Sequence, residues 1–201
     1  MTGALEWAVA ERTLRGETES GDLYLVAPFA DGALVAVIDG LGHGPEAAQA
    51  ARAARAILSE DPGAPAERLM RCCHEGLRGA RGVVLSLASI NTVTDTLTWI
   101  GVGDVEGLLL RADPAAHPIN QSILLRGGVV GYQLPPLREA RHTLAPGDML
   151  ILATDGVRRD FLSQTPCEGD VQSIADSVIF NHAKNTDDAL ALIARYRGGG
   201  A

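Results

Sequence analysis

Two stretches of the chain run into the same dipeptide: Ala33 to Ile38 leads to Asp39-Gly40, and Met149 to Thr154 leads to Asp155-Gly156. Each sets a carboxylate at the C-terminal end of an apolar, strand-like run. Asp-Gly after a strand is also ordinary turn chemistry, so either motif alone decides nothing. A third acidic pair, Asp187-Asp188, precedes the apolar run Ala189 to Tyr196 and either starts a turn or joins the same sheet edge. Asp22 supplies a fourth position. The apolar runs from Asp22 to Ala30 and from Ala33 to Ile38 flank Asp31-Gly32, which reads as the two-residue turn of a hairpin. Closing it there pairs Ala30 with Ala33 and Tyr24 with Asp39, leaving Asp22 diagonal to Asp39. Both carboxylates then project from one face, their residues about 7–8 Å apart. Pro28 is the residue that would break this register with a bulge.

Four clustered carboxylates repel: two unit charges about 4 Å apart cost roughly 4 kcal/mol at an effective dielectric of about 20. A cation must offset that. The only lysine, Lys184, is not part of these motifs, and oxygen donors suit hard divalent ions such as Mg²⁺ or Mn²⁺ better than Zn²⁺. The pattern therefore points to a two-metal site. Ions about 3.5–4 Å apart would activate water, orient a phosphoryl group and stabilise charge in an in-line displacement.

The elements around these residues follow from pattern. Pro45 to Leu58 is Ala-rich, with Pro45 and Glu46 suited to a first helical turn, so it predicts a helix able to approach a sheet closely. A second helix is expected over about Ala64 to Arg78. Strands are expected over Gly82 to Ile90, Thr96 to Val102, Val105 to Leu110, Arg138 to Leu144, Met149 to Ala153 and Ala189 to Tyr196. Helices are expected from about Gly156 to Leu162 and Val171 to Ala183. Between Arg111 and Pro136, four prolines and three glycines predict loops with short strands. Strands in runs with paired helices favour an α+β layering of mainly antiparallel sheets over a doubly wound parallel one. We expect one domain over 1–197, with 198–201 as a flexible tail.

Composition narrows the partners. The chain has 201 residues, 46% of them hydrophobic, and a net charge of −8 with no basic run. That suits a packed core and disfavours nucleic acid or anionic lipid. No stretch approaches the roughly 18 apolar residues that span a bilayer, and Met1 to Trp7 lacks a signal-peptide pattern, so no membrane partner and a cytoplasmic location are expected. Cys72, Cys73 and Cys167 are read as reduced thiols without disulfide or zinc spacing.

Taken in order, Ser20-Gly21-Asp22, Asp39-Gly40-Leu41-Gly42-His43-Gly44, Gly101-Val102-Gly103-Asp104, Ala153-Thr154-Asp155-Gly156-Val157 and Asp187-Asp188-Ala189-Leu190 resemble the metal-dependent protein phosphatases of type 2C, in their bacterial SpoIIE/RsbX branch. Arg81-Gly82, Gly131-Tyr132 and Pro146-Gly147-Asp148 are similar to that branch as well. The resemblance runs from Gly21 to about Tyr196. It implies a four-layer αββα sandwich, with two Mn²⁺ or Mg²⁺ ions at one edge of two central sheets. It further implies that Asp39 bridges the ions, Gly40 offers its carbonyl, Asp155 and Asp187 complete one ion's shell, and Asp22 lies near the other. The implied catalytic residues are Asp39 and Asp155, with Asp187 favoured over Asp188. The implied reaction is hydrolysis of phosphoserine or phosphothreonine on STAS-domain stressosome proteins, which would reset a stress signal. The alternatives are a non-catalytic pseudo-phosphatase that binds a phosphoprotein and a hydrolase of small phosphoesters. Two departures stand out. Leu41 occupies the position where eukaryotic relatives place a histidine that is a possible proton donor, with His43 two residues on. A phosphate-holding arginine near the N-terminus is represented only by location, in Arg12 and Arg15. His74, His117, His142 and His182 have no assigned partners.

Overall fold

A computed structural model describes residues 3–116, 118, 120–165 and 168–199. His117, Cys167 and the end of the glycine tail from 200 lie outside them. The chain forms β1 (Leu5–Arg12), β2 (Asp22–Phe29), β3 (Gly32–Gly40), α1 (Pro45–Glu60), α2 (Ala66–Gly76), β4 (Val83–Asn91), β5 (Thr96–Val102), β6 (Glu106–Leu110), β7 (Asn120–Ser122), β8 (Ala140–Thr143), β9 (Met149–Ala153), α3 (Phe161–Gln164), α4 (Val171–His182) and β10 (Ala189–Tyr196). Sheet I has the order β1-β10-β9-β6-β7 and sheet II the order β2-β3-β4-β5-β8, with antiparallel pairing throughout.

Strand periodicity assigns the layers. In β3, Leu34, Ala36 and Ile38 pack with Ala51, Ala54, Leu58 and Met70 of the first two helices. The alternate residues Val35 and Val37 meet Leu150, Leu152, Leu190 and Leu192 of sheet I. The outer face of sheet I, through Ile151, Ala191 and Ile193, packs on Ile174, Ala175 and Val178 of α4. Three apolar interfaces thus separate helix, sheet, sheet and helix, the α+β sandwich expected from the sequence. Trp99 fills the gap between the sheets, its indole N–H donating to Ser86 Oγ at 2.9 Å. Opposite it, a β-carbon on Gly107 would stand 1.8 Å from the ring, so only glycine leaves room for Trp99.

Some elements differ from the sequence-based expectation. The hairpin turns at Ala30-Asp31, not Asp31-Gly32, so Phe29 pairs with Gly32 and Asp22 faces Asp39 directly instead of diagonally. The reason lies in the third strand: Gly32 is itself paired to Asn91, and a β-carbon there would sit 1.8 Å from the Ile90 carbonyl oxygen. The glycine answers a close strand contact, not a turn. The slip is two residues in the pairing sum, so both aspartates keep one face. Pro28 causes no bulge, because β2 is an edge strand that tolerates a missing donor. The helix expected from Gly156 does not form. Val157 instead bridges to Ala183, and α3 is confined to Phe161–Gln164. Strand β1, which no motif announced, closes sheet I against β10. Gly198 and Gly199 lie against Pro146 and Thr92. Cys72 and Cys73 are free thiols, exposed and buried respectively. Among the described residues no helix is long and apolar enough to cross a membrane.

Candidate metal centre

The alternation that builds the inter-sheet core also aims the carboxylates. Counting outward from Val35 and Val37, the next residue on that face of β3 is Asp39, and its partner across the ladder is Asp22. On β9, the run Leu150, Leu152 continues to Thr154, whose hydroxyl donates to Asp22 Oδ2 at 2.7 Å and accepts from Leu190 N at 2.9 Å. That hydroxyl joins the two sheets at their shared edge. Asp22 is only 3% exposed and lies behind Asp39. Asp39, Asp155, Asp187 and Asp104 line a cleft of about 370 Å³, with Leu41 and Gly42 on its rim.

Both Asp-Gly turns depend on glycine for space. A β-carbon at Gly40 would stand 2.2 Å from the Ala47 carbonyl oxygen of α1, and one at Gly156 would stand 1.7 Å from the Asp188 carbonyl oxygen. The Ala-rich start of α1 therefore presses on the Asp39 turn, while the approach to β10 presses on the Asp155 turn. The two aspartates before β10 point differently. Asp188 is buried, and its carboxylate accepts from Leu14 N and Gly21 N, each at 2.7 Å, tying down the loop before β2. Asp187 faces the cleft.

Burial and mutual repulsion raise three of these carboxyls. The Asp39 carboxyl is pushed up to about 9, first by burial and then by the charges of Asp22, Asp155, Asp104 and Asp187. Asp22 is pushed up to about 7 by burial, against the Thr154 hydrogen bond, with Asp188, Asp187 and Asp155 adding repulsion. Asp155 is raised by burial and by Asp104 and Asp187, with Lys184 acting the other way. No ion pair or hydrogen bond reaches the Asp39 carboxylate among the described residues. An all-oxygen set short of positive charge fits hard divalent cations. No three acidic, histidine or cysteine side chains among the described residues enclose an ion by themselves. The carboxylates ring an open cleft, the arrangement for an ion that keeps several waters.

Two residues enter the site beyond those read from sequence. Asp104 lines the cleft although only its motif had been noted. Its signal was the same one, a strand (β5) running into a glycine–aspartate turn, with Gly103 at a φ of +97° and packed on Val84. Lys184, set apart from the motifs by sequence distance, folds back so that its ammonium donates to the Asp155 carbonyl oxygen. The Val157–Ala183 bridge brings it there. Arg12 donates to the Lys184 carbonyl oxygen, and Arg15 is exposed. His43 is held by Glu17, with Nδ1 and Oε1 2.6 Å apart. Two of the unassigned histidines have structural partners: His74 Nδ1 accepts from Gly131 N at 3.0 Å, and His182 meets Asp160 at 2.9 Å.

Comparison with known proteins agrees with this fold. Residues 30–197 match the family model described as Stage II sporulation protein E (SpoIIE). The chain is 23% identical over 195 residues to the phosphoserine phosphatase RsbX of Bacillus subtilis (strain 168), covering 95% of this chain and 94% of that protein. Among solved structures, a chain from work on the bacterial stressosome as a modular system adapted to control secondary messenger signalling superposes with a TM-score of 0.86. It shares 27% identity and covers 95% of this chain and 99% of its own. RsbX in complex with magnesium superposes at 0.85, with 22% identity and 96% coverage of each chain. The family match spans most of the sequence, and the sandwich expected from the resemblance is the fold found: the chain belongs to the SpoIIE family.

Proposed function

We propose that the chain is a metal-dependent protein serine/threonine phosphatase whose centre is the cleft between the sheet ends. The single observation that carries the reading is the Asp39–Asp22 pair, Asp22 buried and Asp39 half-buried at the cleft. Two acids facing each other across one ladder, both pushed well above the usual carboxylate range by burial and mutual repulsion, are relieved by cations. Asp39, the carbonyl of Gly40, Asp155 and Asp187 would hold two Mn²⁺ or Mg²⁺ ions, with Asp22 backing Asp39 from the sheet interface. When bound, such ions supply an activated water and the charge stabilisation for in-line displacement at phosphorus. The chain's own part is to fix these carboxylates at the ends of β2, β3, β9 and β10, to lock Asp22 through Thr154, and to keep one open side for a phosphoryl group. Asp39 and Asp155 are the catalytic residues of this reading.

The relatives support the choice of substrate class. RsbX is named a phosphoserine phosphatase, and a stressosome-related chain shares the fold. We assign this chain a phosphoserine or phosphothreonine on a STAS-domain stressosome protein, acted on in the cytoplasm. The test is hydrolysis of an aryl phosphate and of a phosphothreonine peptide with Mn²⁺, with chelator, and with Asp155→Ala. Release that needs Mn²⁺ and vanishes in the variant is the expected result. No release with any divalent ion, from folded protein that still binds phosphorylated STAS partners, would make the chain a binding module instead.

A further inference from the structure

Three segments converge on one side of the cleft. The loop after Asp39 is stitched to the start of β4 by Leu41 N donating to Gly82 O at 3.1 Å. Gly82 in turn admits the turn from 129 to 133: a β-carbon there would stand 2.4 Å from a Val129 methyl and 2.8 Å from the Val130 carbonyl oxygen. Arg81 stands at this junction. Its guanidinium donates to the Leu41 carbonyl oxygen at 3.2 Å and meets Glu46 of α1 at 2.7 Å. One of its nitrogens lies 3.1 Å from where a β-carbon of Gly42 would be. Gly42 lines the cleft, so its missing side chain opens a path from the carboxylates to the guanidinium.

Arg81 remains 42% exposed, and a guanidinium has five N–H donors, more than these two anchors use. Beyond it, Glu46, Ala50, Ala53 and Ala80 line a second hollow of about 440 Å³. The arginine is thus a ridge between the phosphoryl cleft and a hollow with an alanine floor. The cleft is lined by four acids among glycines and apolar residues, and the chain carries a net charge of −8, so an acidic substrate gains from a cation beside it.

We propose that Arg81 is a specificity-determining residue that receives an acidic side chain flanking the phosphorylated residue, selecting protein substrates whose chain leaves the cleft over Leu41 and Gly42 with a carboxylate next to the phosphosite. The inference rests on the phosphatase reading. Two anchors pre-orient the fork, which lowers the entropic cost of forming a further pair with a carboxylate. Glu46 is the competitor: at 75% exposed it swings away when a substrate carboxylate arrives.

The experiment compares two phosphothreonine peptides that differ only in glutamate against glutamine flanks, with Mn²⁺ present. The wild-type kcat/KM ratio should favour the acidic peptide by about threefold to fivefold at low salt, the scale of an exposed charge pair, and shrink as salt is added. Arg81→Gln should bring the ratio to about one, Arg81→Lys should keep part of it, and Glu46→Gln should raise it by about twofold. A brace on the Leu41 loop would slow both peptides alike in Arg81→Gln and leave the ratio untouched in Glu46→Gln. Either of those results overturns the proposal. If the wild type turns over neither peptide, the phosphatase reading fails on its own, and fluorescence anisotropy of the same peptides still decides this one. Preferential binding of the acidic peptide that Arg81→Gln abolishes sustains it, and equal binding overturns it.

Discussion

Asp148 and Asp155 stand at opposite ends of β9, and Asp148 and Asp39 show the difference between an acid the chain serves with donors and one it leaves unserved. Asp148 is 2% exposed and fully served: Ala112 N and Ala145 N donate to it at 2.9 Å, and Arg111, which also holds Thr143 O, meets it at 2.6 Å. Asp188 follows the same rule with two backbone donors. Among the described residues Asp39 has no donor, and it has four acidic neighbours. Asp148 and Asp188 are buried, and Asp39 is half-buried at the cleft. What differs is whether the chain supplies the compensating charge or leaves it to a ligand.

Four experiments break or sharpen that contrast. Asp39→Ala should cost about a thousandfold or more in Mn²⁺-dependent hydrolysis, while the melting temperature in chelator holds or rises, because the substitution removes repulsion. A drop in apo stability would put Asp39 with Asp148. The converse variant, Asp148→Ala, strands a partly buried guanidinium and should cost about 3 kcal/mol, roughly 6–12 °C in a chain of this size, read by thermal melts. Its remaining folded fraction should keep kcat/KM within about twofold. The acidic pair before β10 repeats the test at one residue's spacing. Asp188→Ala should lose about 2 kcal/mol by leaving two amides unpaired, whereas Asp187→Asn should leave the melting point alone and weaken Mn²⁺ binding in titration. Equal behaviour of the two would erase the distinction drawn here.

The smallest effect is a slope. An acid held above its unfolded value binds its proton more tightly in the folded state, so stability is complete below the unfolded value and is lost as pH rises through the folded one. For Asp39 that window runs from the ordinary 3.8 to about 9, and for Asp22 from 3.8 to about 7. Metal-free protein should therefore melt a few degrees lower at pH 8.5 than at pH 6. Saturating Mg²⁺ should reverse the trend, and Asp39→Asn should flatten it. A flat wild-type profile in chelator would mean that the cluster is less buried than the fold shows.

The sandwich and most of the carboxylates were legible because both rest on local pattern. Period-two alternation through Val35, Val37 and Asp39 is written in consecutive residues, and so is a strand that stops at Asp-Gly. What escaped was non-local. Gly32 looked like a turn residue because its contact, the Ile90 carbonyl, is some sixty positions away. Lys184 looked remote from the site, and the helix expected after Asp155 looked sound, until the Val157–Ala183 bridge replaced one and delivered the other. The choice between Asp187 and Asp188 turned on amides of Leu14 and Gly21, at the far end of the sequence.

The pairing of β1 with β10, Leu5 opposite Tyr196, has a kinetic consequence. Sheet I cannot close until segments almost two hundred residues apart meet, a contact of very high order that slows folding. Asp187 sits immediately before that strand, whereas Asp22 and Asp39 belong to a hairpin formed early in the chain. A nascent chain therefore carries the first pair of acids long before it carries the second. The centre comes into existence only once Asp155 and Asp187 of sheet I meet Asp22 and Asp39 of sheet II, so a partly folded molecule holds no assembled site with which to act on a substrate.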